Sequence, residues 1–240
     1  MIWLGIDTSN YPLSVAIVQD GRILVEETTN LKLNHSIATM PTVEEVFRKT
    51  DITPQQVDAI AVAEGPGSYT GIRIGVTIAK TLAWTLNKPL IGVSSLQALA
   101  ANAARFDGLI CPLMDARRGN VYAGFFRAKK DGTIETVLKD GHYSLQELLR
   151  QLKEMNESVL FIGTDVSMHW ESIEQVLGNF AVRATLTEDL PRAASLIYLA
   201  MQQHDGEHEN VHHFVPQYRR LAEAEANWMK EQKKAGQPDA

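Results

Sequence analysis

Ile2-Trp-Leu-Gly-Ile-Asp7, Leu13-Ser-Val-Ala-Ile-Val18 and Arg22-Ile-Leu-Val-Glu-Glu-Thr28 are three apolar-rich runs with short breaks between them, and they decide the fold class. The first is apolar on both faces, as a central strand is, and the turn dipeptide Asp20-Gly21 joins the second to the third. The three read as an antiparallel meander. A helix at 35–49 follows, closed by Asp51-Ile-Thr-Pro54; then come a strand at 57–63, a glycine-rich loop, a long helix at 72–86, a strand at 90–93 and a helix that Ser94 or Ser95 can cap. A meander followed by alternating helices and strands implies a mixed sheet with helices on its faces.

The pattern restarts at Arg105-Phe-Asp-Gly108. Leu109-Ile-Cys-Pro-Leu-Met-Asp115 and Val121-Tyr-Ala-Gly-Phe-Phe126 read as strands, and a third at 133–138 follows the turn Asp131-Gly132. Asp7 stands 14 positions before Gly21, and Asp115 stands 17 before Gly132. This half-repeat suggests a duplicated fold with a cleft between its halves. Beyond it, Ser144-Leu-Gln-Glu147 is a capping box opening a helix. Strands are expected at 159–163 and 181–184, and helices at 168–177 and 191–203, the last with Pro191 in its first turn.

With 240 residues, 45% hydrophobic and 22% charged, the chain has the balance of a globular protein of one large or two moderate domains. That excludes a wholly disordered chain, a collagen-like repeat and a disulfide scaffold. The lone cysteine, Cys111, reads as a buried thiol in a strand and fits a reducing compartment. Asp7 follows the first apolar run without any basic segment, so no signal peptide is expected, and no apolar run approaches the roughly 18–20 residues of a membrane span. A cytoplasmic protein is the expectation. A net charge of −6 offers no footprint for a nucleic-acid backbone, so an RNA role would need a local patch or a basic partner.

Two segments could carry chemistry. Glu64-Gly-Pro-Gly-Ser-Tyr-Thr-Gly-Ile-Arg73 joins a strand to a long helix, where exposed backbone N–H groups and the helix dipole favour an anion. It lacks the Gly-Lys-Ser/Thr of a phosphate loop, and its glycines serve equally well in a tight turn that needs close backbone approach. Asp7-Thr8-Ser9 suits Mg–phosphate contacts at a strand end, but the same residues also cap turns. The histidines form no metal-ligand spacing, and there is no Cys-x-x-Cys.

The helix at 72–86 is wider in its apolar surface than one buried face requires. Wound at about 100° per residue, it puts Ile72, Val76, Ala79, Ala83 and Leu86 on one face and Ile74, Ile78 and Leu82 on the next. Arg73, Thr77, Lys80 and Trp84 form the narrow remaining stripe. The helix at 35–49 shows the same excess in Ile37, Met40, Val43, Val46 and Phe47. The second faces are buried either inside the chain or against a partner.

The matching pieces Ile6-Asp-Thr-Ser9, Asn34-His-Ser36, Met40-Pro41, Gly65-Pro-Gly-Ser-Tyr-Thr-Gly-Ile-Arg-Ile-Gly75, Ser94-Ser-Leu-Gln-Ala-Leu-Ala100, Asp115-Ala-Arg117, Val121-Tyr122 and Pro216-Gln-Tyr-Arg219 give the chain a resemblance to the TsaB (YeaZ) family. That family is the non-catalytic branch of the machinery making threonylcarbamoyladenosine in tRNA. The pieces run in family order over most of the chain, and the glycine string is highly specific; Tyr69 stands where phenylalanine is frequent.

The resemblance implies an α/β fold of two duplicated ribonuclease-H-like halves, as in the actin, sugar-kinase and heat-shock-ATPase superfold. It divides the chain into 1–104 with partner-binding helices, a smaller half at 105–219, and a helical tail at 220–240 frayed at its end. The catalytic relative, TsaD, uses a paired-histidine metal motif on the helix equivalent to 35–49, whereas here His35 is followed one turn later by Ala38 and Thr39. The implied protein is therefore a pseudoenzyme that binds and activates TsaD, has no metal site and requires no cofactor. Any ATP or ADP contact would be weak and vestigial, at Asp7, Thr8, Ser9, Gly65 and Gly67. The implied partner surface is His35, Thr39, Val43, Val46, Ile74, Gly75, Ile78 and Leu82. That surface would serve TsaD or, in the isolated protein, a second copy in a homodimer. TsaE would join through the TsaB–TsaD complex and tRNA only indirectly. The rival readings are an actin-like ATPase or small-molecule kinase, with Asp7 and Asp115 facing each other across Mg–ATP, and a metallopeptidase-like protein.

Overall fold

The structure, a computed structural model, describes residues 1–31, 34–204 and 211–217. The tail expected at 220–240 lies outside the described residues, as do Tyr218 and Arg219 of the Pro216-Gln-Tyr-Arg219 string.

Strands β1 (Ile2–Asp7), β2 (Leu13–Gln19) and β3 (Arg22–Thr29) form the antiparallel meander. β1 is buried on both faces except at Ile2, because β4 (Ala59–Gly65) pairs parallel on its other side and β5 (Leu90–Ser94) continues the sheet. The resulting order is β3-β2-β1-β4-β5. The second sheet is built from β6 (Leu109–Asp115), β7 (Asn120–Ala128), β8 (Ile134–Ser144), β9 (Val159–Ile162) and β10 (Ala181–Arg183). Its order, β8-β7-β6-β9-β10, repeats the first strand for strand, with the same two antiparallel and two parallel pairings. These are the two ribonuclease-H-like halves of the expected duplicated fold.

Helices α1 (His35–Thr50) and α2 (Tyr69–Leu86) cover the outer face of the first sheet, where Val43, Val46, Phe47, Ile72, Val76 and Ala79 pack on Leu4, Ile6, Val15, Ile17 and Val62. Helices α4 (Leu145–Met155) and α5 (Val166–Leu177) cover the second sheet in the same way. Cys111 is fully buried in that layer, and burial pushes its thiol pKa far up, so it is chemically inert. Between the sheets lie α3 (Ser95–Ala100) and α6 (Ala193–Gln203), sharing one core with Trp3, Ala61 and Val93 of the first sheet and Ile110, Phe126 and Leu160 of the second.

Thus α6, from the second half of the sequence, is laid across the first sheet. Gly5 makes room for it, since a Cβ there would stand 2.8 Å from the Ile197 side chain and 2.9 Å from the Ala193 carbonyl. The division at 104/105 falls between the two sheets, but residues 193–203 do not follow it.

Two helix starts depart from expectation. The Ser144 side chain makes no capping bond; instead the Leu145 N–H donates to the Gly119 carbonyl at 3.0 Å, so the turn between β6 and β7 takes the orphan donor. α6 begins at Ala193 rather than at Pro191, because its first donors are held by the meander. The Ala193 N–H donates to Ser14 Oγ at 2.9 Å and the Ala194 N–H to Glu26 Oε1 at 2.8 Å, while the other Glu26 oxygen accepts from Arg192 Nε at 2.9 Å. The carboxylate also complements the positive end of the helix.

Glu26→Ala should therefore destabilise the protein by about 1–3 kcal/mol, while Glu26→Gln, which keeps an acceptor, should cost less. Urea unfolding midpoints of both variants check this.

Candidate functional site

The turn after β1 and the start of α2 close on each other through their backbones. The Thr8 hydroxyl donates to the Gly71 carbonyl at 2.7 Å, and the Ser68 N–H donates to the Ser9 carbonyl at 2.6 Å. Approach this close requires glycine. A Cβ on Gly67 would stand 2.0 Å from the Ser9 oxygen, one on Gly71 2.1 Å from the Thr8 oxygen, and one on Gly75 2.3 Å from Thr8 Oγ1. Gly65, at φ +113°, faces the Gln217 carbonyl, whose own N–H donates to the Glu64 carbonyl at 2.8 Å. The structure brings Asp7, Thr8, Ser9, Gly65, Gly67 and Gly75 together, with each of these four glycines, Gly71 included, occupied by protein rather than aimed into open space. This geometry supports the close-approach reading of the loop over the phosphate cradle.

α2 starts at Tyr69, a turn earlier than its apolar period suggested. Ser68 Oγ accepts from the Gly71 N–H at 3.3 Å, which winds the end of the glycine string into the helix.

Asp7 is fully buried. Its Oδ1 accepts from the Ser9 N–H at 2.8 Å and the Ser9 hydroxyl at 2.7 Å, whereas Oδ2 has no hydrogen-bond partner among the described residues. Burial pushes its carboxyl above the usual carboxylate range, against the opposing pull of the Ser9 bonds and of nearby His35. His35 Nε2 lies 2.9 Å from the Asn10 carbonyl and its buried Nδ1 has no hydrogen-bond partner among the described residues. His35, at the start of α1, thus faces the turn after β1. Among the described residues no three His, Cys, Asp or Glu side chains come together as metal donors.

Asp115, the counterpart of Asp7 at the end of β6, is engaged differently. Its Oδ1 lies 3.1 Å from His169 Nε2 on α5, and its N–H donates to Asp165 Oδ2 at 2.9 Å. It lines a cleft of about 380 Å³ between the halves, with Asn10, Ser68, Thr70, Arg117 and Tyr122. Sequence reasoning missed His169, since nothing local marks a histidine 54 positions away from its carboxylate.

The residues expected to form a partner surface differ in exposure. Thr39, Val43, Val46 and Gly75 are buried within the chain, and His35 is turned inward, because α1 spends that side covering β2 and β3. Ile74, Ile78 and Leu82 are half-buried at the surface. Beside them the exposed apolar residues of α1 are Ile37, at 71%, and Met40, at 45%. Met40, Val43, Phe47, Ile52, Pro54 and Leu82 line a groove of about 500 Å³ there, rimmed by Glu44, Arg48 and Asp51, so Val43, though nearly fully buried, borders it. Ile37 and Met40 were visible in the sequence as part of the apolar arc; only the sheet decides which end of the arc faces out.

The chain matches the family model described as "TsaD: tRNA N6-adenosine threonylcarbamoyltransferase" over residues 22–228. A Bacillus subtilis (strain 168) protein named tRNA threonylcarbamoyladenosine biosynthesis protein TsaB is 48% identical over 97% of this chain and 100% of its own length. Among solved structures, a Pseudomonas aeruginosa protein described as similar to peptidase YeaZ superposes with a TM-score of 0.78 at 27% identity, covering 91% of this chain and 99% of that one. YeaZ from Pseudomonas aeruginosa gives 0.74 at 26% identity, with 90% and 99% covered.

Two outcomes test the turn–helix contact. Gly71→Ala should cost about 3 kcal/mol or more in urea unfolding, because the intruding methyl meets a backbone carbonyl that no rotamer change can move. Asp7→Asn keeps an acceptor for Ser9 and removes a buried charge. With the native Asp7 pKa raised, the folded state binds the proton more tightly than the unfolded one, so wild-type stability falls as pH rises through the raised value. Asp7→Asn should then be the more stable protein at neutral pH, with the gap shrinking on acidification; thermal melts across pH read it.

Proposed function

Because this chain belongs to the TsaB family and takes part in tRNA threonylcarbamoyladenosine biosynthesis, we propose that it does so as a non-catalytic subunit that binds and activates TsaD. The observation carrying this reading is the apolar surface of α1 and α2, where Ile37 and Met40 stand exposed beside half-buried Ile74, Ile78 and Leu82. A contiguous apolar patch rimmed by charges is characteristic of a protein-binding surface. The same surface accounts for a homodimer when the protein is alone, two copies meeting through the two helices about a two-fold axis. Homodimer and TsaD complex then compete, and the tighter one wins by mass action. TsaE joins through the TsaB–TsaD complex, and tRNA is met indirectly, since the chain carries a net charge of −6.

The interior supports a binding role over a kinase or peptidase role. A kinase of this fold needs donors aimed at phosphate after β1 and β4, but here Ser68 N–H serves Ser9, and the glycines are packed against backbone. A metallopeptidase would need a clustered set of metal donors that the described residues do not form. No cofactor is required in this reading, and ATP or ADP contact is weak and without consequence for turnover. A purified sample hydrolysing Mg–ATP, with the activity lost in Asp7→Ala, would overturn it.

Ile78→Glu and Met40→Glu should leave the fold intact, as judged by circular dichroism. Each should weaken association with TsaD at least about a hundredfold, on the order of 3 kcal/mol, by placing a charge in an apolar contact. Sedimentation of each variant with and without TsaD reads this out; a folded variant that still binds TsaD as tightly as the wild type places the interface elsewhere.

A further inference from the structure

The cleft between the halves is built with charges that the proposed binding role does not use. Asn10, Ser68 and Thr70 line it from the first half and Asp115, Arg117 and Tyr122 from the second, around a volume of about 380 Å³ that suits a small molecule. Opposite charges stand two positions apart on the second wall. The Asp115 carboxylate is held in place, because His169 Nε2 lies 3.1 Å from its Oδ1 and its own N–H donates to Asp165 Oδ2 at 2.9 Å. Its Oδ2 has no hydrogen-bond partner among the described residues. With Asp165 beside it, two carboxylates share one imidazole, so the local charge favours a cation.

Arg117 supplies the other sign. Its guanidinium makes no ion pair or hydrogen bond among the described residues, although it lines the cleft. Its backbone is left-handed at φ +66°, as is that of Arg118 at φ +56°, in a turn that the Asn120 N–H closes by donating to the Arg117 carbonyl at 3.1 Å. Glycine or asparagine would fill such positions with less strain. Strain carried by an arginine on the wall of a cleft points to a working side chain.

We propose that this cleft binds a free α-amino acid, its ammonium on Asp115 Oδ2 and its carboxylate on the Arg117 guanidinium. The planar fork of a guanidinium takes both oxygens of a carboxylate, and a fixed carboxylate oxygen takes an ammonium N–H. Asn10 and Thr70, on the opposite wall, offer hydrogen-bonding groups to the ligand's side chain, so the bound molecule bridges the two halves. A phosphate fits less well. The Asp115 carboxylate would repel it, and the Ser68 N–H is already given to the Ser9 carbonyl. None of these residues belongs to the apolar surface of α1 and α2 proposed for TsaD, so the two readings fail separately.

Isothermal titration of the full-length protein with each of the common L-amino acids tests it. At least one should bind with a Kd below about 1 mM. Its N-acetyl and carboxamide derivatives, which each lack one of the two charges, should bind at least about tenfold more weakly. Asp115→Asn, which keeps a hydrogen-bonding partner for His169, and Arg117→Gly should each weaken the amino acid at least about tenfold as well. Because Arg117→Gly relieves the left-handed backbone, it should melt no lower than the wild type, which separates lost binding from lost folding. No amino acid bound at about 10 mM, derivatives as tight as their parent, or undiminished affinity in Arg117→Gly each overturns the proposal. So does binding of inorganic phosphate or ADP in place of an amino acid, lost in Arg117→Gly, which would make the cleft an anion site.

Discussion

The close contact between the turn after β1 and the first turns of α2 is the constraint from which the rest of the first half follows. Two backbones meet there with the Thr8 and Ser9 carbonyls against Gly71 and Gly67, nearer than any side chain permits. That contact fixes how α2 leaves β4, and so which of its flanks lies on the sheet. It also seals Asp7 beneath the turn, bonded to Ser9 and shut off from solvent. The mutual hydrogen bonds of the two turns hold them as one rigid unit.

Much of this was legible in the sequence because it rests on local signals. The Asp-Gly turns, the uninterrupted apolar run of β1 and the restart at Leu109 are short-range patterns, and they sufficed for a duplicated mixed sheet. The glycine string was legible as a place of close approach or anion binding, but not as which of these, since the difference lies in what Thr8 and Ser9 do 60 residues away. The apolar arc of α1 was legible in full; its division between Val43 and Val46 inside and Ile37 and Met40 outside was not, because helix periodicity sets relative angles and only the sheet sets the zero.

The helix ends show the same limit from another side. Ser144 opens a capping box by sequence, yet its side chain makes no capping bond and the first N–H of α4, on Leu145, goes to the Gly119 carbonyl, while α6 starts where Ser14 and Glu26 accept its first N–H groups. A local cap competes with any acceptor that tertiary structure brings near, and a buried or geometrically fixed acceptor wins. The Asp115–His169 pair is likewise invisible along the chain, because the carboxylate ends β6 while the imidazole sits on α5.

The placement of α6 has a consequence for biogenesis. The inner face of the first sheet, with Trp3, Ala61 and Val93, is completed by residues 193–203, so it stays uncovered while the ribosome makes the second half. The amino-terminal half cannot finish its core on emerging, and α6, late in the chain, helps close the first sheet begun. A product ending before residue 193 would leave part of that face uncovered beside α3, an apolar surface of the kind that draws chaperones and proteases.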